Sequence, residues 1–185
     1  LRRFLTRPFS MRPGQWIQYF LSATYYLVGF AYFILVLGPL LYIFFKVPSF
    51  FIQPEVYFLS FLPYIVLSMS VFYFSLRKRN YKPRDLVLGQ LLGTSTCFVY
   101  MKAACAALLD SKVSFGVTSK TKGGAIPYRF LWPQLGMLAA TFTALVWAVN
   151  RFYYEHEPAL IINAFWTAYQ FLVFSSIFYF NKAER

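Results

Sequence analysis

The sequence predicts an all-α membrane protein with four transmembrane helices and additional amphipathic helices at the membrane interface. Of its 185 residues, 59% are hydrophobic and only 13% are charged, which is about half the charged share of a soluble domain. Four separate runs of more than twenty residues contain no formal charge. Each run is long enough to cross a ~30 Å hydrocarbon layer as a helix. The runs do not alternate apolar and polar residues, so helices are favoured over barrel strands.

The predicted spans follow the limits of the uncharged runs. They cover residues 19–45, 56–76, 130–151 and 158–181. Pro39, Pro63 and Pro133 lie inside or at the start of these runs. Proline is better tolerated in transmembrane helices than in soluble ones, so these positions are compatible with helical spans.

The distribution of basic residues predicts how the spans are oriented. Sixteen of the 18 lysines and arginines lie in the N-terminal stretch, in the long segment between the second and third spans, or at the C-terminus. Basic segments stay on the cytoplasmic side, so both termini and the middle segment are predicted to be cytoplasmic. The predicted location is the plasma membrane, either a bacterial inner membrane or a eukaryotic plasma membrane, with several spans. The net charge of +12 then reflects topology and contact with lipid headgroups. A nucleic-acid partner is not needed to explain it.

Residues 81–109 hold a shorter apolar stretch, which we predict to be an interfacial helix. Only 16 uncharged residues, 86–101, lie between two groups of five basic residues. A crossing would leave one of these groups outside, whereas a helix in the interface would not. Gly89 and Gly93 have the small-xxx-small spacing of packed membrane helices. Residues 1–18, basic and apolar by turns, are predicted to be a further interfacial amphipathic segment. A bulky stripe on the 81–109 helix comprises Val87, Leu91, Phe98, Met101, Cys105 and Leu108.

A polar segment at residues 110–129 carries the most specific motif in the chain. It contains FGVTSK at residues 115–120, which matches the pattern F-x-V-T-x-K. This hexapeptide resembles the gating-loop motif of cellulose synthases, which are processive family-2 glycosyltransferases. The order of interfacial helix, loop and two further spans is also similar to that family. The order of helices and loop is similar to that family along the whole chain, whereas the hexapeptide is the only specific sequence match.

The resemblance implies that the chain is the membrane part of a UDP-sugar-dependent β-glucan synthase with a cytoplasmic gating loop. In such an enzyme the loop inserts over the bound donor and withdraws to release UDP. Lys120 offers a cation and Thr118 a hydroxyl to a diphosphate, while Phe115 and Val117 would dock the loop. The alternative is a solvated basic loop whose lysines contact only anionic lipid.

Aromatic residues are the candidates for a glucan path, because sugar rings stack their C–H faces on aromatic rings. The chain contains 23 Phe, 15 Tyr and 4 Trp. The candidate channel residues are Trp16, Tyr32, Trp147, Asn150, Trp166 and Tyr169. Gln18, Asn163 and Gln170 are further candidates to hydrogen-bond the sugar hydroxyls. The alternative is that these aromatics sit at membrane interfaces or pack within the bundle.

Catalytic residues are missing from the sequence. Sugar transfer in the resembled family uses aspartates that hold Mg²⁺ or Mn²⁺ and the UDP, but the six acidic residues here form no D-x-D pair. The Q-x-x-R-W motif of the family is also absent. We therefore expect a separate N-terminal glycosyltransferase domain that supplies the metal and the catalysis. His156 is the sole histidine, and neither it nor the two cysteines give a metal-ligand pattern, so no metal is expected on this segment.

The expected partners follow from these expectations. They are a UDP-sugar, the growing β-glucan chain, membrane lipid, the missing catalytic domain, and accessory or oligomeric subunits. A curdlan or mixed-linkage glucan synthase would keep similar helices and a similar loop, so the sugar and the linkage stay open. A hypothesis of another class is a non-catalytic four-span transporter or scaffold subunit.

Overall fold

The computed structural model describes residues 12–48, 53–77, 81–109 and 125–182, and every regular element in these ranges is helical. In chain order the helices are α1 (Pro13–Thr24), α2 (Val28–Phe45), α3 (Pro54–Leu76), α4 (Pro83–Ser95), α5 (Cys97–Leu108), α6 (Trp132–Glu155), α7 (Ala159–Ser175) and α8 (Ile177–Phe180). Single 3-10 turns precede α2 at Tyr25–Leu27 and α6 at Tyr128–Phe130. Helix α8 continues α7 after a turn at Ser176.

Four helical stretches of the described chain are long and apolar enough to cross a membrane, or five if the bent pair α4 and α5 counts as one span, which agrees with the predicted all-helical membrane fold. The four stretches are Pro13–Phe45, Pro54–Leu76, Trp132–Glu155 and Ala159–Phe180. The first stretch begins at Pro13, ahead of the predicted start at residue 19, because the 3-10 turn joins α1 to α2 without a break. Residues 13–18 of the predicted interfacial segment therefore belong to this helix. Residues 1–11 of that segment lie outside the described residues.

Helices α2, α6 and α7 form the centre of the bundle. Helix α6 buries Thr141, Ala144 and Ala148, which are three and four residues apart and so share one face. Small side chains on this face let α6 and its neighbours approach closely. Larger apolar side chains of α2 and α7 fill the remaining space. The buried cluster contains Val36, Leu40, Tyr42, Ile43, Leu160 and Phe174.

Pro39 lies inside α2 and changes the hydrogen bonding of that helix. Proline has no N–H, so the carbonyl of Leu35, four residues earlier, loses its intrahelical donor. The side chain of Gln170 on α7 supplies a donor, because its Nε2 donates to the Leu35 carbonyl oxygen at 2.9 Å. The proline therefore creates a hydrogen bond that links α2 to α7.

The segment predicted as one helix at 81–109 is broken into α4 and α5, which meet at an angle of 50°. The break lies at Thr96, whose backbone leaves the helical region at φ −88° and ψ 9°. The hydroxyl groups of Ser95 and Thr96 both donate to the carbonyl of Leu92. Such back-bonding by serine and threonine bends helices, which explains a break that the apolar pattern did not show.

Both ends of the region that contains α4 and α5 contact the same end of the bundle. At the start of α4, Arg84 Nη2 donates to the Tyr179 hydroxyl at 2.8 Å. Ahead of α6, the Ile126 N–H donates to Asn181 Oδ1 at 2.8 Å, and Asn181 Nδ2 donates to the Ile126 carbonyl at 3.0 Å. Tyr179 and Asn181 are two residues apart at the end of α8, so Arg84 and Ile126 lie at the same end of the bundle.

Close packing of α5 against the first span depends on Gly29. A Cβ atom at Gly29 would lie 2.6 Å from the carbonyl oxygen of Cys97, which no side chain allows. In contrast, a Cβ atom at Gly89 or Gly93 would have nothing of the described chain within 4 Å. Ser95 and Cys97 are buried, whereas much of the bulky stripe is exposed. Gly89 and Gly93 therefore make no close helix contact within the described residues.

Candidate functional site

The two ends of the bundle differ in charge. One end carries the start of α1, the end of α3, the start of α4, the turn before α6 and the end of α8. Among the described residues, that end carries the carboxylate of Asp85 and the cations Arg12, Arg77, Lys82, Arg84, Lys102, Arg129 and Lys182. The other end carries the carboxylates of Glu55, Glu155 and Glu157 together with Lys46 and Arg151. The bundle therefore has a basic end and an acidic end.

The segment with the FGVTSK motif starts from the end of α5 and returns at the basic end. Its return point is close to Ile126, which Asn181 holds through two hydrogen bonds. The motif residues themselves lie outside the described residues. They are Phe115, Val117, Thr118 and Lys120.

An aromatic cluster lies where α3 packs against α7. Trp166 Nε1 donates to the Tyr57 hydroxyl at 2.8 Å. The ring centroids of Phe61 and Tyr169 lie 5.2 and 5.8 Å from that of Trp166, both in edge-to-face arrangements. Tyr32, half-buried on α2, lies near Tyr169. The structure thus brings together three of the candidate channel residues, with Tyr57 and Phe61 as additional members.

The remaining candidate channel residues lie elsewhere. Trp16 stacks on Phe20 with ring centroids 5.3 Å apart on α1. Trp147 and Asn150 lie on an exposed face of α6, and the Trp147 side chain is 48% exposed. Tyr57 and Phe61 were not among the candidates, although their spacing of four residues places both on one face of α3.

Two of the candidate amides point into the bundle. Asn163 is fully buried, and its Nδ2 donates to the carbonyl of Ala159 at 2.8 Å. Gln170 donates to Leu35, as described above, and is 4% exposed. The side-chain oxygens of both amides have no hydrogen-bond partner within residues 12–48, 53–77, 81–109 and 125–182. Buried amides in a membrane bundle usually face a partner or a cavity, and here the partner of each amide nitrogen is a backbone carbonyl.

The acidic end is organised by Arg151, which sequence reasoning placed only at a span boundary. Its side chain is 7% exposed, and its Nη1 donates to the carbonyls of Tyr42 and Ile43 at 3.1 and 2.7 Å. Its Nη2 lies 2.7 Å from the Glu155 carboxylate and 3.3 Å from that of Glu157. The Arg-x-x-x-Glu spacing was the available signal for this network. Arg151 therefore ties the end of α2 to the α6–α7 turn.

A groove of about 830 Å³ lies between α5 and the start of α6 at the basic end. Its apolar lining includes Phe98, Met101 and Met137. Two cations, Lys102 and Arg129, also line it. The Arg129 guanidinium lies 4.9 Å from the centroid of the Phe130 ring, which holds it beside the groove.

No group of three or more His, Cys, Asp or Glu side chains in the described ranges is placed to hold a metal ion. Comparison with known proteins adds no relative: no family model, no curated protein and no solved structure matches this chain.

Proposed function

We propose that this chain is the membrane part of a processive, UDP-sugar-dependent β-glucan synthase, similar to cellulose synthase, which polymerises a glucan and moves it across the plasma membrane. The observation that carries the proposal is the FGVTSK motif at residues 115–120, in a segment that returns to the basic end of a four-span bundle. With the basic end in the cytoplasm, both chain ends and the motif are on the side where nucleotide sugars are made.

The chemistry of the motif suits a nucleotide-sugar donor. Charge develops on the diphosphate as the sugar leaves, and cations and hydrogen-bond donors stabilise it. Lys120 supplies an ammonium group and Thr118 a hydroxyl donor for the phosphate oxygens. Phe115 and Val117 would dock the segment over the donor and help exclude water. The bonds between Ile126 and Asn181 support this role, because they fix the point from which the segment extends.

The aromatic cluster between α3 and α7 supports a role in handling the glucan. Trp166, Tyr57 and Tyr169 combine ring faces and edges with hydroxyl groups, which matches the alternation of C–H faces and hydroxyls in a sugar chain. Sugar transfer itself would require a glycosyltransferase domain, on the same polypeptide or on a partner, with aspartates that hold Mg²⁺ or Mn²⁺. This chain would supply the path and the loop.

Incorporation of radiolabelled UDP-glucose by membranes that contain the full-length protein tests the proposal. Lys120→Ala and Thr118→Ala should each lower polymer synthesis at least about tenfold, as expected when a donor to a developing charge is removed. Lys122→Ala is the matched control, because it removes a cation two residues beyond the motif, and it should remain close to wild type. Linkage-specific glucanases then distinguish cellulose from curdlan or mixed-linkage glucan.

Equal activity of the three variants would reduce the segment to a basic surface loop and overturn the role of the motif. Absence of incorporation by the inserted wild-type protein with UDP-glucose and other UDP-sugars would favour the transporter or scaffold hypothesis.

A further inference from the structure

We propose that the groove between α5 and the start of α6 binds one anionic phospholipid, with its phosphate at Lys102 and Arg129 and an acyl chain along the apolar wall. The volume of about 830 Å³ is within the range of small-molecule sites, and it accommodates a headgroup with part of one acyl chain. The site goes beyond the proposed synthase function and does not depend on it.

The charge of the groove lining favours an anionic ligand. The described residues that line the groove include two cations and no carboxylate. Arginine matches the geometry of a phosphate group, and basic residues beside a membrane attract anionic lipids. The neighbouring residues 110–124 carry three lysines and one aspartate, so they do not complement Lys102 and Arg129. A glucan is neutral and has no charge to match.

The position of the groove along the span fits a lipid. Phe130 and Trp132 are 62% and 72% exposed at the start of α6, where aromatic side chains lie at headgroup depth. The cation Arg129 is adjacent to them, whereas Met137 lies more than one turn further into the span. The groove therefore presents charge at the level of lipid phosphates and apolar surface at the level of acyl chains.

Gln134 adds a polar group to the wall of the groove. It is 6% exposed, and its Oε1 has no hydrogen-bond partner in the part of the chain that the structure describes. If the amide turns toward the groove, a headgroup with hydroxyl donors, such as the glycerol of phosphatidylglycerol, can supply the missing bond. Phosphatidylglycerol is therefore a suitable anionic probe.

Native mass spectrometry of the full chain in detergent, titrated with phosphatidylglycerol or phosphatidylcholine, tests the charge requirement. The double variant Lys102→Gln/Arg129→Gln should lower the affinity for phosphatidylglycerol about thirtyfold, from the contribution of each basic residue near an anionic headgroup. The double variant Arg12→Gln/Lys182→Gln removes the same charge at the same end, outside the groove, and should change the affinity less than about threefold. Equal effects of the two double variants, or equal binding of the two lipids, would overturn the proposal.

A second pair of variants tests the groove itself without changing charge. Gly136→Leu adds a side chain to the lining at a position where a Cβ atom meets nothing within 4 Å of the described chain, so it should fill the groove and weaken phosphatidylglycerol binding at least about tenfold. Gly89→Leu is equally unobstructed but lies on α4, outside the groove, and should leave binding unchanged. Unchanged binding by Gly136→Leu would show that the lipid binds elsewhere.

Competition by water-soluble glycerophosphoglycerol tests whether the acyl chain is needed. If this compound competed at the same concentration as the lipid, the groove would be a phosphate site that needs no acyl chain, and the proposal would be overturned.

Discussion

Replacing Arg151 with methionine should destabilise the bundle strongly, because this buried guanidinium serves two helices at once. It donates to the carbonyls of Tyr42 and Ile43 in the last turn of α2. A helix leaves its last carbonyls without intrahelical donors, so the arginine acts as a cap supplied by another helix. The same group pairs with Glu155 and Glu157 at the end of α6 and the following turn. Methionine keeps the length of the apolar stem and removes every one of these bonds.

The structure sets the expected magnitude. A hydrogen bond from a charged donor contributes about 1.5–3 kcal/mol, so two buried bonds to carbonyls give roughly 3–6 kcal/mol. The lower end of this range applies, because the Tyr42 carbonyl also accepts a hydrogen bond from the backbone N–H of Lys46, at 3.0 Å, which the substitution does not remove. The side chains of Glu155 and Glu157 are 32% and 42% exposed, so water can solvate them after the arginine is lost. We expect a loss of about 3 kcal/mol in the free energy of unfolding, measured by equilibrium titration with SDS in mixed micelles.

Lys46→Met provides the matched control. Lys46 also pairs with Glu155, at 3.0 Å, but its side chain is 63% exposed. Exposed ion pairs contribute little, so this variant should unfold like the wild type. Arg151→Lys should fall between the two, since it keeps the charge and loses the planar fork that reaches both carbonyls. If Arg151→Met unfolded at the same SDS fraction as Lys46→Met, the capping role would be refuted.

Three further predictions concern single contacts. Gly29→Ala should lower the free energy of unfolding by about 1–3 kcal/mol, because the added methyl group overlaps the α5 backbone. Gly89→Ala should raise the free energy of unfolding by up to ~1 kcal/mol, as expected for an unobstructed helical glycine. Titration with SDS measures both changes. Gln170→Leu should cost about 1 kcal/mol in the wild-type background. It should cost less in Pro39→Ala, which restores the N–H that the α2 carbonyl lacks, so a double-mutant cycle should show coupling. Asn181→Ala should speed hydrogen exchange of its bonded backbone amide ahead of α6 at least about tenfold, as seen by mass spectrometry.

Composition was sufficient to predict four long apolar helices. A residue such as Leu40 or Val146 needs no specific partner to favour lipid over water, so uncharged runs show where helices cross whatever their packing. The basic end was predictable for the same reason, since the position of each cation relative to the spans can be read from the chain order. Helix limits were less accurate, because residues 13–18 are polar enough to resemble an interfacial segment although the helix is continuous from Pro13.

The contacts between helices could not be predicted, because they depend on which faces meet. Gly29 has no neighbouring glycine at small-xxx-small spacing, yet α5 packs against it. Gly89 and Gly93 have that spacing, but a Cβ atom at either position would meet nothing of the described chain within 4 Å. Arg151 resembled an ordinary residue at the end of a span, since its partners on α2 are more than a hundred residues away in sequence. In the aromatic cluster, only the fold shows which of the many rings lie together.

Helices α7 and α8, joined by the turn at Ser176, contact three separate parts of the described chain. The first half carries Trp166 of the aromatic cluster, and Gln170 in the middle donates a hydrogen bond to α2. At the end, Tyr179 and Asn181 bond to Arg84 and Ile126, which flank the region that contains the FGVTSK motif. A shift of these two helices along their axis would therefore move the aromatic cluster and the attachment of the motif together. The hydrogen bond between Gln170 and the Leu35 carbonyl opposes such a shift, because it would have to break or lengthen as α7 moves past α2.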